Sequence, residues 1–262
     1  LPDTLNLAGK IMGSLLIKEL KCLTSFSGHL KKHFHDEYSM TLITSGSCRT
    51  WIEGDFMSLD SGDVLFLPPR VVHSCVPDDK TDVTVRNFFF ERGKLESCFR
   101  NHSLSDEILS RPRLAHRAFL PEVFPDKIPD IHAVIEYHIP EFFDSMPALP
   151  GEDERPGNDE ILAAIRDYIE RQFADDMTLE ELSVVSGLSR FHLVRSFRRK
   201  FGLTPYAYLL NVRINAAMKM LRSGMSITDV ACDLHFYDQS HFTNTFTCHV
   251  GLPPGVYRDM FF

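Results

Sequence analysis

One pattern occurs twice near the end of the 262-residue chain, and a tandem repeat restricts the possible folds more tightly than composition does. His192, Phe197, Gly202, Leu203, Pro205 and Tyr208 recur 49 residues later as His241, Phe246, Gly251, Leu252, Pro254 and Tyr257. Upstream the offset is 48, which sets Leu179, Leu182, Ser183 and Gly187 over Ile227, Val230, Ala231 and His235. The second copy therefore carries one extra residue in its turn. A supersecondary unit used twice predicts two similar packed bodies joined by whatever lies between them.

Each copy reads as a helix-turn-helix. In the first, Thr178 and Glu181 have the spacing of a capping box, Leu179 and Leu182 face inward, and Gly187 suits a left-handed turn. Ser189 caps a second helix in which Leu193, Phe197 and Phe201 form a stripe at i, i+4 and i+8. Phe191, Arg195 and Arg198 then project from the opposite side. In the second copy Ile227, Val230, Ala231 and Leu234 line the inner face of the first helix. Asp238 caps the next one, where Phe242, Phe246 and Val250 repeat the stripe. Thr204-Pro205 opens a connecting helix that runs to about Leu221 and ends at Ser223-Gly224. A bland reading is a helical bundle whose repeat only packs a core.

Two such units joined by one helix resemble the DNA-binding domain of AraC-type bacterial transcription regulators. The likeness rests on Leu179-x-x-Leu182, Gly-Leu-Ser189, Leu193-x-x-x-Phe197, Gly-Leu-Thr-Pro205-x-x-Tyr208, Arg213, Ile227-x-x-Val-Ala231, Gln239-Ser-x-Phe242-x-x-x-Phe246 and Gly251-x-x-Pro254-x-x-Tyr257-Arg258. It implies that Phe191, His192, Val194, Arg195 and Arg198 of the first unit meet DNA, and that Gln239, Ser240, Thr243 and Asn244 do so in the second. Arg195 fits bidentate reading of guanine, while His192 and Arg198 at the edges suit phosphate. An ordinary solvated charge is the bland reading of Arg195. Two departures stand out: His235 occupies a position where the family has Gly, and Thr247 one where it has a basic residue. From Ser226 to Val250 there is no Lys or Arg, against five in Arg190 to Lys200.

A formal net charge of −8 is at odds with DNA binding until it is partitioned. Residues 178–262 hold nine Lys and Arg against six Asp and Glu, leaving 19 against 30 in residues 1–177. Basic character is thus confined to the repeat. No apolar run approaches the ~18 residues of a membrane span, and Leu1-Pro-Asp lacks the basic start of a signal peptide, so a cytoplasmic protein is expected. The chain opens without an initiator methionine, as after processing or trimming. Its six cysteines include no C-x-x-C pair, which favours reduced packing residues over disulfides or zinc.

Strand-like segments fill the N-terminal region: Ser14 to Cys22, Tyr38 to Thr44, Cys48 to Glu53, Asp63 to Leu67, Val72 to Val76 and Val83 to Phe90. Gly46, Gly54, Gly62 and Pro68-Pro69 punctuate them at the intervals of a small antiparallel barrel or sandwich. Through His33-x-His35, Gly46 and Gly62-x5-Pro68-x-Arg70-x-x-His73 this region resembles a cupin, the small-molecule sensor that AraC-type regulators commonly carry. Ser39 and Met40 stand where a cupin has Glu, and Arg70 where it has Gly. His33, His35 and His73 are therefore only a weak metal set, and no cofactor is expected. With Tyr38, Trp51 and Arg70 they are expected to border an effector pocket, the bland alternative being that they pack or face water.

Helical patterns follow at Lys94 to His102, Ser105 to Ser110 and Ile131 to Phe143. The apolar stripe of the last, Ile131, Val134, Ile135, His138 and Phe142, fits packing on the barrel or pairing with a second copy. The segment 147–157 reads as a linker, after which Asn158 caps a helix from Glu160 to Phe173 whose Ile161, Ile165, Tyr168 and Ile169 face inward. The expected architecture is α+β in two domains: a cupin-like antiparallel β-barrel with helices in 1–146, and an all-α double helix-turn-helix in 158–262. The resemblance implies a sequence-specific regulator, not an enzyme, that answers to an effector and activates transcription, repression being equally compatible with the sequence. Its partners would be promoter DNA, RNA polymerase, a small molecule and, as a homodimer, a second copy of the chain, with no membrane. Alternatives are a cupin-type metalloenzyme or metal sensor fused to a DNA-binding module, and an effector-independent regulator.

Overall fold

The computed structural model describes residues 7–12, 15–22, 31–52, 54–77, 83–101, 108–116 and 159–262. The chain packs as two units, one from residues 1–29, 35–71 and 75–151, the other from 30–34, 72–74 and 152–262.

The strands are β1 (Leu7–Met12), β2 (Leu15–Cys22), β3 (Tyr38–Ser45), β4 (Ser47–Ile52), β5 (Asp55–Asp60), β6 (Asp63–Leu67), β7 (His73–Pro77), β8 (Val83–Phe90) and β9 (Arg113–His116). Six of them form one sheet in the order β1-β2-β8-β3-β6-β9, and three form another in the order β5-β4-β7. The pairings of β1 with β2, β2 with β8, β3 with β6 and β8, β4 with β5, and β6 with β9 are antiparallel. This is the expected cupin-like arrangement, with Met40, Leu42, Ile43, Val64, Phe66, Val85 and Phe88 among its buried residues. Removing such side chains from water contributes about 1.5–3 kcal/mol each.

Three strands were not expected. β1 precedes the first segment recognised; β5 buries only Leu59 among its six residues; and β9 has just four residues, held through pairs such as Leu65 with Leu114. Helix α1 (Arg92–Asn101) corresponds to the helix expected at Lys94. Of the helix expected at 105–110, the described part, Ile108–Ser110, is a single 3-10 turn. The segment Ile131 to Phe143, the linker 147–157 and the Asn158 cap lie outside the described residues.

The second unit contains seven helices among the described residues: α2 (Asp159–Gln172), α3 (Leu179–Ser186), α4 (Arg190–Phe201), α5 (Pro205–Arg222), α6 (Ile227–Asp233), α7 (Gln239–Val250) and α8 (Pro254–Asp259). Helix α5 packs against α2, α4, α6, α7 and α8 and so forms the spine. Oxygens of Thr178, Ser189, Thr204, Ser226 and Asp238 each accept a backbone N–H at the start of a helix. The capping box is only half made. Thr178 accepts from the Glu181 N–H, but the Glu181 carboxylate accepts a hydrogen bond from the Tyr168 hydroxyl instead, binding α3 to α2. On α2 the inward residues are Leu162, Ile165 and Ile169, while Ile161, expected inside, is 40% exposed. Spacing of three and four residues admits only one of the two neighbours to the buried stripe.

The repeat holds in tertiary detail. Phe197 meets Tyr208 edge to face at 5.6 Å, and Phe246 meets Tyr257 in the same way at 5.4 Å. Gly202 and Gly251 end α4 and α7 with φ of 72° and 76°, a left-handed conformation that side chains resist. Where the first turn uses Gly187 at φ 66°, the second uses His235 at φ 50°.

Candidate nucleic-acid interface and histidine cluster

Burial of Leu193, Ser196 and Phe197 leaves the other face of α4 outward. Phe191 is 77% exposed; His192, Arg195 and Arg198 are exposed and Val194 half-buried. The five residues singled out in the first unit thus share the accessible side of one helix. Arg190 is held by Glu180 of α3, which fixes the start of the helix and draws one of its five basic groups into an ion pair.

Helix α7 has the same inward stripe of Phe242, Phe246 and Val250. Outward lie Gln239, Ser240 and Asn244, all exposed, with Thr243 half-buried. The Gln239 carbonyl oxygen accepts from the Thr228 hydroxyl at 2.9 Å, so that amide is already half engaged with α6. Thr247 turns its hydroxyl onto the Thr243 carbonyl at 2.7 Å rather than outward. His249 is buried and bonds the Thr245 carbonyl through Nδ1. Burial lowers its pKa, which keeps it out of the supply of positive charge at neutral pH.

Sequence reasoning quoted Arg213 only as part of a motif. On α5 it is 5% exposed and donates to three carbonyls, those of Phe173 (2.8 Å), Asp175 (2.9 Å) and His235 (3.0 Å). Burial lowers its pKa, and a guanidinium satisfied in this fork remains a cation. One side chain thereby joins the end of α2 to the turn of the second unit. Asn211 and Asn215, also buried on α5, were missed as well. The Phe34 N–H donates to Asn211 Oδ1 at 3.4 Å, Asn215 Nδ2 donates to the Phe34 carbonyl at 3.3 Å, and the Phe34 ring lies 4.9 Å from that of Tyr208. Amides one helical turn apart on an otherwise apolar face were the signal that could have disclosed this seat.

His33 and His73 come together, their ring centroids 4.4 Å apart. Two backbone hydrogen bonds, of 2.9 and 2.8 Å, pair His33 with His73, and the Arg70 N–H donates to the His35 carbonyl at 2.9 Å. Arg70 takes φ 71°, at the position where the cupin pattern has Gly, and its guanidinium pairs with Asp36 at 2.9 Å. Tyr38 stacks on Phe66, and its hydroxyl donates a hydrogen bond to Glu96 of α1. Trp51 is buried on β4, opposite Phe56 of β5.

A basic outward face on a helix-turn-helix that occurs twice, preceded by a cupin-like sheet domain, defines a class of DNA-binding regulator with its own ligand-binding domain. Residues 182–260 match the family described as a helix-turn-helix domain, and residues 25–120 match the AraC-like ligand binding domain. The chain belongs to the AraC-type transcription regulators. It is 26% identical to YbfI, an uncharacterised HTH-type transcriptional regulator of Bacillus subtilis, over 82% of this chain and 83% of that one. Over 36% of this chain and 34% of the relative it is 36% identical to RhaS, an HTH-type transcriptional activator of Klebsiella pneumoniae. Among solved structures, ToxT of Vibrio cholerae with an unsaturated fatty acid bound is similar at a TM-score of 0.57 and 14% identity, covering 95% of this chain and 96% of that one. No described helix is long and apolar enough to cross a membrane.

Proposed function

We propose that this regulator is a cytoplasmic, effector-responsive activator without enzymatic activity, which reads promoter DNA chiefly through α4. The observation that carries the reading is the shared outward face of Phe191, His192, Arg195 and Arg198 on a helix whose other side is fully packed. Arginine on such a face is suited to guanine edges and phosphates in a major groove. Helix α7 adds neutral contacts from Gln239, Ser240, Thr243 and Asn244. RNA polymerase is the second macromolecular partner, and a homodimer would double the number of half-sites. The effector is a small molecule taken up by the AraC-like ligand binding domain, with His33, His35, Tyr38, Trp51, Arg70 and His73 as its polar and aromatic contacts.

The test is selection of DNA from a random pool by the full-length chain, followed by transcription from the selected site. Recovery of one sequence with two half-sites, and more transcript when the chain is added, is the expected result. Recovery of unrelated sequences with equal affinity overturns it. A thermal-shift screen of small metabolites then finds the effector, because a ligand at 100 times its dissociation constant adds about 2.7 kcal/mol to stability.

A further inference from the structure

We infer that Lys32, on a strap seated against α5, is a further DNA contact and joins Arg198 in gripping a backbone phosphate. The strap, residues 30–34, packs with the helical unit, as does the segment 72–74. Its course is fixed by several bonds. The Phe34 N–H donates to Asn211 Oδ1 at 3.4 Å, and the Phe34 carbonyl accepts from Asn215 Nδ2 at 3.3 Å. Both backbone groups of one residue are thus clamped by amides one turn apart on α5. Asn215 Nδ2 also donates to Asn211 Oδ1 at 3.2 Å, which orients the two amides together. The Phe34 ring is buried, 4.9 Å from that of Tyr208. His33 exchanges backbone hydrogen bonds of 2.9 and 2.8 Å with His73, and its Nδ1 lies 2.7 Å from the Lys31 carbonyl.

A lysine carried on such a strap differs from a freely solvated one. Lys32 is half-buried and Lys31 exposed. Burial, and after it the charge of Arg198, lower the Lys32 pKa, so the two cations are within electrostatic reach of each other. Burial lowers the His249 pKa, the Thr245 bond opposes this, and Lys31 adds to the lowering, so the strap borders α7 as well as α4. Like charges kept close by packing repel in the free protein, and an anion between them relieves that cost. Because the strap is already ordered, its lysine gives up little freedom on binding. Arg198 is exposed at the edge of the α4 face, where phosphate contacts position a reading helix without carrying sequence information. The role of Lys32 rests on α4 facing DNA, as proposed above. It adds charge to a reader whose second helix, α7, contains neither Lys nor Arg.

The experiment measures the affinity of the full-length chain for its selected operator across about 50–200 mM salt. Lys32→Gln is expected to lower the slope of log affinity against log salt by about 0.9 and to weaken operator and unrelated DNA alike, by about fivefold at physiological salt. Lys32→Arg retains the native slope. Asn215→Ala, which opens one side of the clamp, lowers the slope by itself and adds nothing in a protein that already carries Lys32→Gln, because it acts through the placement of that lysine. Should the variants fail to fold, the native chain decides: operator DNA shields Lys32 from acetylation, and inorganic phosphate at the same phosphate concentration does not. An unchanged slope in Lys32→Gln, a further drop in the double variant, or acetylation unaffected by DNA overturns the proposal. The reading of α4 survives that result if Arg198→Ala still lowers the slope, and falls with it if Arg198→Ala does not.

Discussion

At the scale of single residues, both positions where the chain departs from a family glycine have a backbone consequence. Arg70 and His235 are the two non-glycine residues with positive φ among those described. The patterns thus disclosed a conformation, although neither residue type announces it. His235→Gly is expected to stabilise the second unit by about 0.5–1 kcal/mol, since relief of left-handed strain outweighs the extra freedom of the unfolded chain. Urea unfolding followed by helical circular dichroism measures it; a lower midpoint would show that the His235 side chain has contacts worth more than the strain. His249 behaves differently. Its folded pKa lies below its unfolded value of about 6.5, so the unfolded state takes up the proton first and stability falls as pH drops below about 6.5, levelling off beneath the folded pKa. In His249→Gln that acid loss should shrink, as midpoints at pH 7.5 and 5.5 will reveal. On α4, Arg195→Ala should cost about 1–3 kcal/mol of binding and relax preference at one base pair, whereas Arg198→Ala weakens all sequences alike. Identical uniform losses in competition assays would reverse those roles.

At the scale of elements, the two recognition helices share a frame and differ in charge. Helix legibility was high because caps, glycine stops and stripes agree: Ser189 and Asp238 begin α4 and α7, and Gly202 and Gly251 end them. Strands were less legible where the signal of burial is thin, as in β5, and on α2 the choice between Ile161 and Leu162 turned on phase alone. The candidate site was legible as a list of outward residues, but the bonds that engage Gln239 and Thr247 were not, because they depend on which neighbour lies across the turn. Those bonds sharpen the contrast in charge. Each phosphate contact that α7 lacks removes about 0.9 from the slope of log affinity against log salt. Mutating the half-site under α7 should therefore reduce affinity less than mutating the one under α4, and Asn244→Ala should change binding by under about 1.5 kcal/mol. Equal losses at near-neutral pH and physiological salt would mean that α7 grips as firmly as α4.

At the scale of the whole molecule, the spine sets the reach. Helix α5 has 18 residues and is about 27 Å long, which suits two half-sites about one DNA turn apart on the same face. Inserting five base pairs, half a turn, between the half-sites should lower affinity by about tenfold, and a footprint that tolerates the insertion would show that the second helix is not engaged. Two-domain organisation was visible in the partition of charge and in the change from period-two to helical patterns. The seat of Phe34 on Asn211 and Asn215 was not, because the partners are 177 and 181 residues apart in sequence. The matching Phe197–Tyr208 and Phe246–Tyr257 contacts have a practical consequence. Since each of these helices is anchored by the same phenylalanine packed on a tyrosine, its outward residues are open to exchange. Transplanting Arg195 and Arg198 of α4 onto Asn244 and Thr247 of α7, with the buried His249 left in place, offers a route to regulators with rewritten operators and an undisturbed core.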